Sequence, residues 1–397
     1  YQITLANDFI RQASDANLSA RGITGADADN IKKYRAEARF LRAYQYSILM
    51  DLFGSVPFVT DADLLGASLP AQKTRTELFA YIESELKAIE PDLADARKNE
   101  YGRADKAAAW ALLARIYLNA SVYTGTAKNT EAVTYAKKVI DAGYSLISDY
   151  TKLMRADNNL NTSEFILTIN YDGRYTQNWG GTTFLAHAPV GGNMVAAQFG
   201  IDGGWGGLRT TTGLSSKFPD LTGTADKRSQ FHTSGQSADI NDLTKFTDGY
   251  AITKYRNINM NGTPGKNLTW VDIDFPIFRS AEMNLVYAEA VLRGGTGDAG
   301  AALSYVNALR TRAGASTISA AQLNLDFILD ERARELYWEG FRRTDLIRYN
   351  RFVESSYLWP WKGGVRGGTN VDAFRRLYPI PSADISSNPN LVQNAGY

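Results

Sequence analysis

Two blocks of helical periodicity enclose a stretch that has none, so the chain must fold as a helical scaffold carrying a long irregular insertion. From Ile31 the apolar positions run Tyr34, Ala38, Leu41, Ile48, Leu49 and Leu52, with a lapse at Gln45, which predicts one buried helix face. Gly54 stands where a left-handed cap would end that helix, and Pro57 prevents it from resuming. Thr74-Arg75-Thr76-Glu77 has the pattern of a capping box, followed by Leu78, Ile82, Leu86 and Ile89 at helical spacing. Ala104 to Ala120 and Glu131 to Ala142 give two further helices, the first with Ala107, Ala108, Ala111 and Ala114 small enough for close helix approach. The signal returns at Ile277 to Leu292, Ala299 to Arg312 and Leu323 to Tyr349. Paired helices of this length joined by short loops predict a TPR-like solenoid, although the repeat consensus is poor.

Residues 172–270 hold sixteen of the 34 glycines and lose the helical period. Phe165 to Tyr171 alternates like a short strand just before them. Long loops in a compact protein are usually functional or disordered, and Trp179, Trp205 and Trp270 argue against disorder here. This stretch is therefore expected to face a ligand.

Several function classes are disfavoured by composition. Lys and Arg number 43 against 42 Asp and Glu, so no global field favours nucleic acid. Cysteine is absent, which removes disulfides and thiolate chemistry. No apolar run approaches the about 20 residues of a membrane span. The chain starts at Tyr1 with no initiator Met or export signal, so a signal or lipid anchor is expected to lie outside it.

Catalytic and metal chemistry finds little support. His187 and His232 lack metal-ligand spacing and read as surface or loop residues. No HExxH or nucleophile-elbow motif occurs. Gly262 to Asn267 departs from a phosphate loop in its glycine spacing and reads as a turn. Glu331, Glu335 and Glu339 recur every four residues, and a glycosidase needs two carboxylates flanking the bond. They are interleaved with Arg332, Arg334, Arg342, Arg343 and Arg348, which would pair with them and hold them ionised. Arg35, Glu37, Arg39 and Arg42 read as inter-helix ion pairs. No enzyme activity, cofactor or metal site is expected.

What remains is aromatic residues beside glycine. Asn178-Trp179-Gly180-Gly181 and Gly203-Gly204-Trp205-Gly206-Gly207 each set an indole on backbone that can approach a ligand closely. A pyranose has an apolar C–H face and a polar hydroxyl rim, so an indole can cover the face while Asn or Arg bonds the rim. Burying roughly 50–100 Å² per stacked ring contributes about 1–3 kcal/mol before ordering costs. The alternative is that these indoles fill the core beneath long loops, as Trp110 and Trp338 on helices are expected to do. Trp359 and Trp361, flanking Pro360, fit either role.

Five blocks in order also resemble a known family. They are Arg35 to Ala43 with Asp51 to Phe58, Gly102 to Ala108 with Ala114 to Ala120, Pro276 to Ala290, Glu331 to Arg348, and Tyr378 to Tyr397. Together they resemble the SusD/RagB proteins. That resemblance implies a lipoprotein on the outer face of a Bacteroidetes-type outer membrane, whose TPR-like scaffold packs as a lid on a SusC-like TonB-dependent transporter. Tyr357 to Gly364 and the aromatic-glycine segments resemble the starch-binding branch, where loop aromatics form an arc matching curved α-1,4-glucan. By flanking sequence, Trp179 falls where one arc aromatic is a Tyr and Trp205 where another is a Trp. Relatives carry a further N-terminal stretch with the anchor Cys and a third arc aromatic, which this sequence does not contain.

The expectation is thus a mostly α single domain over residues 1–397. Its scaffold would occupy about 1–150 and 276–350, its ligand-facing loops about 172–275, and a C-terminal extended segment about 351–397. The expected site residues are Trp179, Trp205, Asn178 and Arg209, taking a malto-oligosaccharide. A different glycan (fructan, xylan or host glycan) or a protein-interaction scaffold without sugar binding are the alternatives.

Overall fold

The computed structural model describes residues 1–64, 66 and 68–397. The N-terminal block comprises α1 (Gln2–Gln12), α2 (Asp15–Ala20), α3 (Gly25–Phe53), α4 (Arg75–Ile89), α5 (Lys106–Leu118), α6 (Ala120–Thr124) and α7 (Asn129–Asp141). A two-residue ribbon, β1 (Val56–Pro57) with β2 (Gln72–Lys73), brackets the turn between α3 and α4. The capping box forms as expected: Thr74 Oγ1 accepts from the Glu77 N–H, and Glu77 in turn accepts from the Thr74 N–H at 2.8 Å. Leu78, Ile82, Leu86 and Ile89 are all buried, and so are the small residues Ala107, Ala108, Ala111 and Ala114.

The buried face of α3 differs from the expected one. Ala36, Phe40, Ala43, Tyr46 and Met50 are buried, whereas Tyr34 and Leu41 are exposed. The helix is gripped on two sides, by α1 and by α4, so its buried set is too broad for a single stripe to reveal. Arg35, Glu37, Arg39 and Arg42 do pair across elements, with Asp15, Arg103, Glu85 and Asp61 respectively.

After α7 the chain forms strand β3 (Phe165–Ile169), followed by α8 (Gly181–His187), α9 (Thr212–Ser215) and a ribbon of β4 (Phe231–His232) with β5 (Ala251–Ile252). The Gly262 segment is a turn, closed by the Gly262 N–H on Asn259 O at 2.9 Å. The helical block resumes with a correction. Ile277 to Arg279, expected as the start of a helix, belongs instead to strand β6 (Phe275–Arg279), antiparallel to β3 with Phe165 opposite Arg279 and Ile169 opposite Phe275. A four-residue apolar run containing Pro276 fits strand or helix by periodicity alone, and the pairing decides it. The helix proper, α10 (Ser280–Leu292), is buried all round from Ser280 to Ala290 and packs on α7, α11 (Ala299–Arg312) and α12 (Leu325–Leu336).

The single helix expected over Leu323 to Tyr349 is two, α12 and α13 (Arg342–Arg348), broken where Trp338 takes φ +62° and Gly340 φ +85°. Trp338 therefore sits at an elbow rather than on a helix, and it is only half-buried. Trp110 lies at the edge of the core, with its indole N–H on Glu90 at 2.8 Å. The C-terminal segment, including α14 (Ser382–Ser387), folds back on the end of α3, where Asn394 donates to Phe53 O and the Tyr378 N–H to Leu52 O.

One large apolar core runs through the helical block, and two smaller ones lie beneath the loops. A buried ion network joins the two parts. Arg228 meets Asp226 (2.7 Å), Glu331 (2.8 Å) and Glu335 (3.3 Å), and Arg279 meets Glu164 (2.9 Å), Glu335 (2.7 Å) and Glu339 (2.7 Å). Arg312 adds bonds to Glu164 and Glu335, and Lys254 one to Glu339 at 2.6 Å. So the three regularly spaced glutamates are structural, but their partners come mostly from distant segments. Of the neighbouring arginines only Arg334 joins them, on Glu331, while Arg332 and Arg348 bind Asp345 and Arg343 binds Asp51. Burial opposes charge on Glu335, yet the guanidiniums of Arg312, Arg279 and Arg228 outweigh it and hold the carboxyl well below its usual range. Burial pushes the Lys254 ammonium down to about 8.

Candidate functional site

Three loop segments meet on one side of α8. The first, residues 171–180, is fastened from beneath: Asp274 accepts the Tyr171 N–H at 2.7 Å and Asp272 the Gly173 N–H at 2.8 Å. Lys266 bonds Asp172 and, with the backbone N–H of Arg174, holds that carboxyl below its ordinary range. Asn178 makes a local turn, with its Oδ1 accepting from the Gly180 N–H at 3.0 Å, which presents Trp179 outward.

The second segment, 203–208, lies along the end of α8. The N–H groups of Trp205, Gly206 and Gly207 donate to the carbonyls of His187, Val190 and Ala188 at 3.0, 2.8 and 2.9 Å. A Cβ at Gly204 would stand 2.2 Å from the Val190 carbonyl oxygen, so only glycine allows the backbones this close. The third segment carries Trp270, whose N–H bonds Asn267 Oδ1 at 3.0 Å.

Trp179 and Trp205 therefore come together although 26 positions separate them in sequence. Their ring centroids are 6.0 Å apart and their planes are inclined by 55°. Both face solvent, Trp179 at 60% and Trp205 at 42% exposure. Neither fills the core. Trp270, half-buried, backs Trp179 at 4.3 Å, and Phe184 flanks Trp205 at 5.9 Å.

His187 is the residue that sequence reasoning misplaced. It is buried at the end of α8, not on the surface, and stacks on Trp205 at 5.1 Å and 23°. Its Nδ1 faces the Gly203 carbonyl at 2.6 Å and its Nε2 the Thr269 carbonyl at 3.0 Å. One imidazole thus ties α8 to the loops of both Trp205 and Trp270. The only hint in the sequence was its helical spacing from Phe184. His232 is half-buried and meets Asn193 at 2.8 Å.

Arg209 is engaged within the fold. Its guanidinium donates to the carbonyls of Asp248, Gly207, Leu243 and Lys245 at 2.6–3.0 Å, which shapes the loop beyond β4 and leaves one of five N–H groups free. The Asn178 amide remains exposed beside Trp179.

A model of the SusD family matches residues 228–397, and one described as "Starch-binding associating with outer membrane" matches residues 7–118. The "Starch-binding protein SusD" of Bacteroides thetaiotaomicron is 37% identical, an alignment covering 100% of this chain and 77% of that protein. The chain belongs to the SusD family. "SusD-like protein P2" of Formosa agariphila is 27% identical over 96% of the chain and 77% of its own length. The mostly helical fold is also that of a solved structure, "Surface glycan-binding protein A from Bacteroides thetaiotaomicron in complex with laminarihexaose", with a TM-score of 0.76 at 25% identity, covering 99% of this chain and 85% of that one. The counterpart from Bacteroides uniformis superposes with a TM-score of 0.75 at 25% identity, covering 99% and 84%. Among the described residues of this SusD-family chain, no helix is long and apolar enough to cross a membrane.

Proposed function

We propose that this protein captures a bent, starch-derived α-1,4-linked oligosaccharide on the Trp179–Trp205 shelf, without cleaving it, and passes it to a TonB-dependent transporter at the outer face of an outer membrane. The observation that carries the reading is the contact of two solvent-facing indoles inclined by 55°. Successive sugars can cover both rings only if the chain bends between them, so a flat β-1,4 ribbon can lie on one ring alone. The Asn178 amide at the edge can meet the hydroxyl rim. Two stacked rings contribute about 2–6 kcal/mol before ordering costs, weak binding that suits capture followed by release. The carboxylates on the supporting loops, Asp172 and Asp202, are engaged by Lys266 and Thr269 rather than paired across the shelf, which supports binding without hydrolysis.

The name of the 37% identical relative favours starch, while the laminarihexaose complex of a structural neighbour keeps a curved β-1,3-glucan as the second reading. Calorimetric titration with maltoheptaose, laminarihexaose and cellohexaose separates them. Maltoheptaose is expected to bind tightest and cellohexaose weakest. Trp179→Ala and Trp205→Ala should each weaken maltoheptaose by about 1–3 kcal/mol. Unchanged isotherms for both variants would remove the shelf as the site. The transporter is tested by co-purification from outer membranes, and hydrolysis by reducing-sugar release from starch, of which none is expected.

A further inference from the structure

The elbow between α12 and α13 encloses a cavity of about 320 Å³, within the size range of small-molecule sites. It shares no lining residue with the Trp179–Trp205 shelf. Six aromatic rings line it: Tyr337 is buried, and Trp338, Phe341, Phe352, Tyr357 and Trp359 remain half-buried. Phe352 and Trp359 are 6.1 Å apart with planes inclined by 30°, and Tyr357 is 6.3 Å from Trp359 at 54°. Trp338 points here from a left-handed backbone, φ +62°, a conformation that a bulky side chain adopts only when its surroundings enforce it.

The charges of the lining are unbalanced. Three guanidiniums, Arg332, Arg342 and Arg343, face one carboxylate, Asp345. Arg343 is matched outside the cavity by Asp51 at 3.0 Å, and Arg332 Nε by Asp345 at 2.8 Å and, beyond the lining, by Glu289 at 3.8 Å. Asp345 also serves Arg348 at 2.8 Å. Arg342 has no carboxylate partner among the described residues. Its Nη1 donates to Leu329 O at 2.8 Å and its Nη2 to the Tyr357 hydroxyl at 2.6 Å, both neutral acceptors. Among the described residues, buried Arg332 Nη1 has no acceptor.

We propose that this cavity is a second ligand site, for a flat aromatic carboxylate. The rings supply mutually inclined faces for a planar apolar body, and Arg342 supplies a preorganised planar cation for an anionic end. A sugar fits poorly, because the mainly apolar walls would leave its hydroxyls without partners. The site is independent of the glycan reading, and the two can fail separately.

The test is calorimetric titration of the whole protein with 2-naphthoate and its neutral isostere 2-naphthamide. The expected result is saturable one-to-one binding of the acid and at least tenfold weaker binding of the amide. Arg342→Gln should weaken the acid at least tenfold, Arg342→Lys should restore part of it, and Phe352→Ala should weaken acid and amide alike. The Trp179→Ala/Trp205→Ala double variant should bind the acid as the wild type does. Melting curves by circular dichroism confirm that each variant is folded, and Arg342→Gln serves where Phe352→Ala does not fold. Absence of saturable binding at millimolar 2-naphthoate overturns the site. Wild-type affinity in folded Arg342→Gln overturns its placement at the elbow, and equal affinity for acid and amide overturns the ligand class.

Discussion

The helical block and the loop-rich block of this protein are held together by different physics. In the helical block, large buried side chains such as Phe40, Leu78, Ile82, Leu112 and Met50 form a continuous apolar core, and loss of water contact stabilises it without demanding particular partners. The loops from 172 to 274 bury less apolar surface and depend on named polar contacts: Asp272 and Asp274 on backbone N–H groups, His187 between two carbonyls, Arg209 on four carbonyls, and the ion network around Glu335. Nondirectional stabilisation tolerates conservative exchange, whereas directional stabilisation does not.

Acid should expose that difference most strongly. Glu331, Glu335 and Glu339, joined to Arg228 and Lys254 of the loops, all have carboxyl pKa values lowered: burial opposes the charge, and their arginine and lysine partners outweigh it. A carboxylate depressed on folding contributes stability that is present above its unfolded value, about 4, and is lost as pH falls through the folded one. Hydrogen exchange followed downward from pH 6 should show the 220–260 loops losing protection before α5 and α10. Simultaneous loss everywhere would mean that the two blocks are not differently held.

Next in size is Arg279→Met, which leaves Glu164, Glu335 and Glu339 short of a cation and should destabilise by about 3–5 kcal/mol in urea denaturation. Leu112→Ala in the apolar core should cost about 2–5 kcal/mol, read by the same measurement. The sharper contrast lies in conservative exchanges. Leu112→Met should cost under about 1.5 kcal/mol, while Arg279→Lys, which loses the planar fork, should retain little of the native stability of the network. The smallest effect is Thr74→Ala, which removes one exposed cap and should lower stability by about 1 kcal/mol.

The same contrast explains what could be read from the sequence. Thr74 with Glu77 and the run Leu78, Ile82, Leu86, Ile89 were legible because capping and burial of a helix face leave periodic marks. The face of α3 was misjudged because α1 and α4 grip it from two sides and blur that mark. Ile277 to Arg279 reads as helix in sequence because the strand it belongs to pairs with β3, more than a hundred residues away. At the candidate site, Trp179 and Trp205 stood out by their glycine neighbours, and the structure places them side by side. Trp270, Phe184 and His187 had no local signature, since what matters about them is which other loop they touch. Arg209 looked like a rim donor, but an isolated arginine in a sequence does not reveal that backbone carbonyls already engage it.

Trp179 and Trp205 are bolted down at separate points, one to the aspartates ahead of β6 and the other to the backbone just past α8. The angle between the two rings can therefore be altered by rebuilding either loop alone, with the helices beneath left as they are. Under the proposed glycan reading, a few short insertions in one loop would suffice to refit the shelf to a straighter or more coiled polymer.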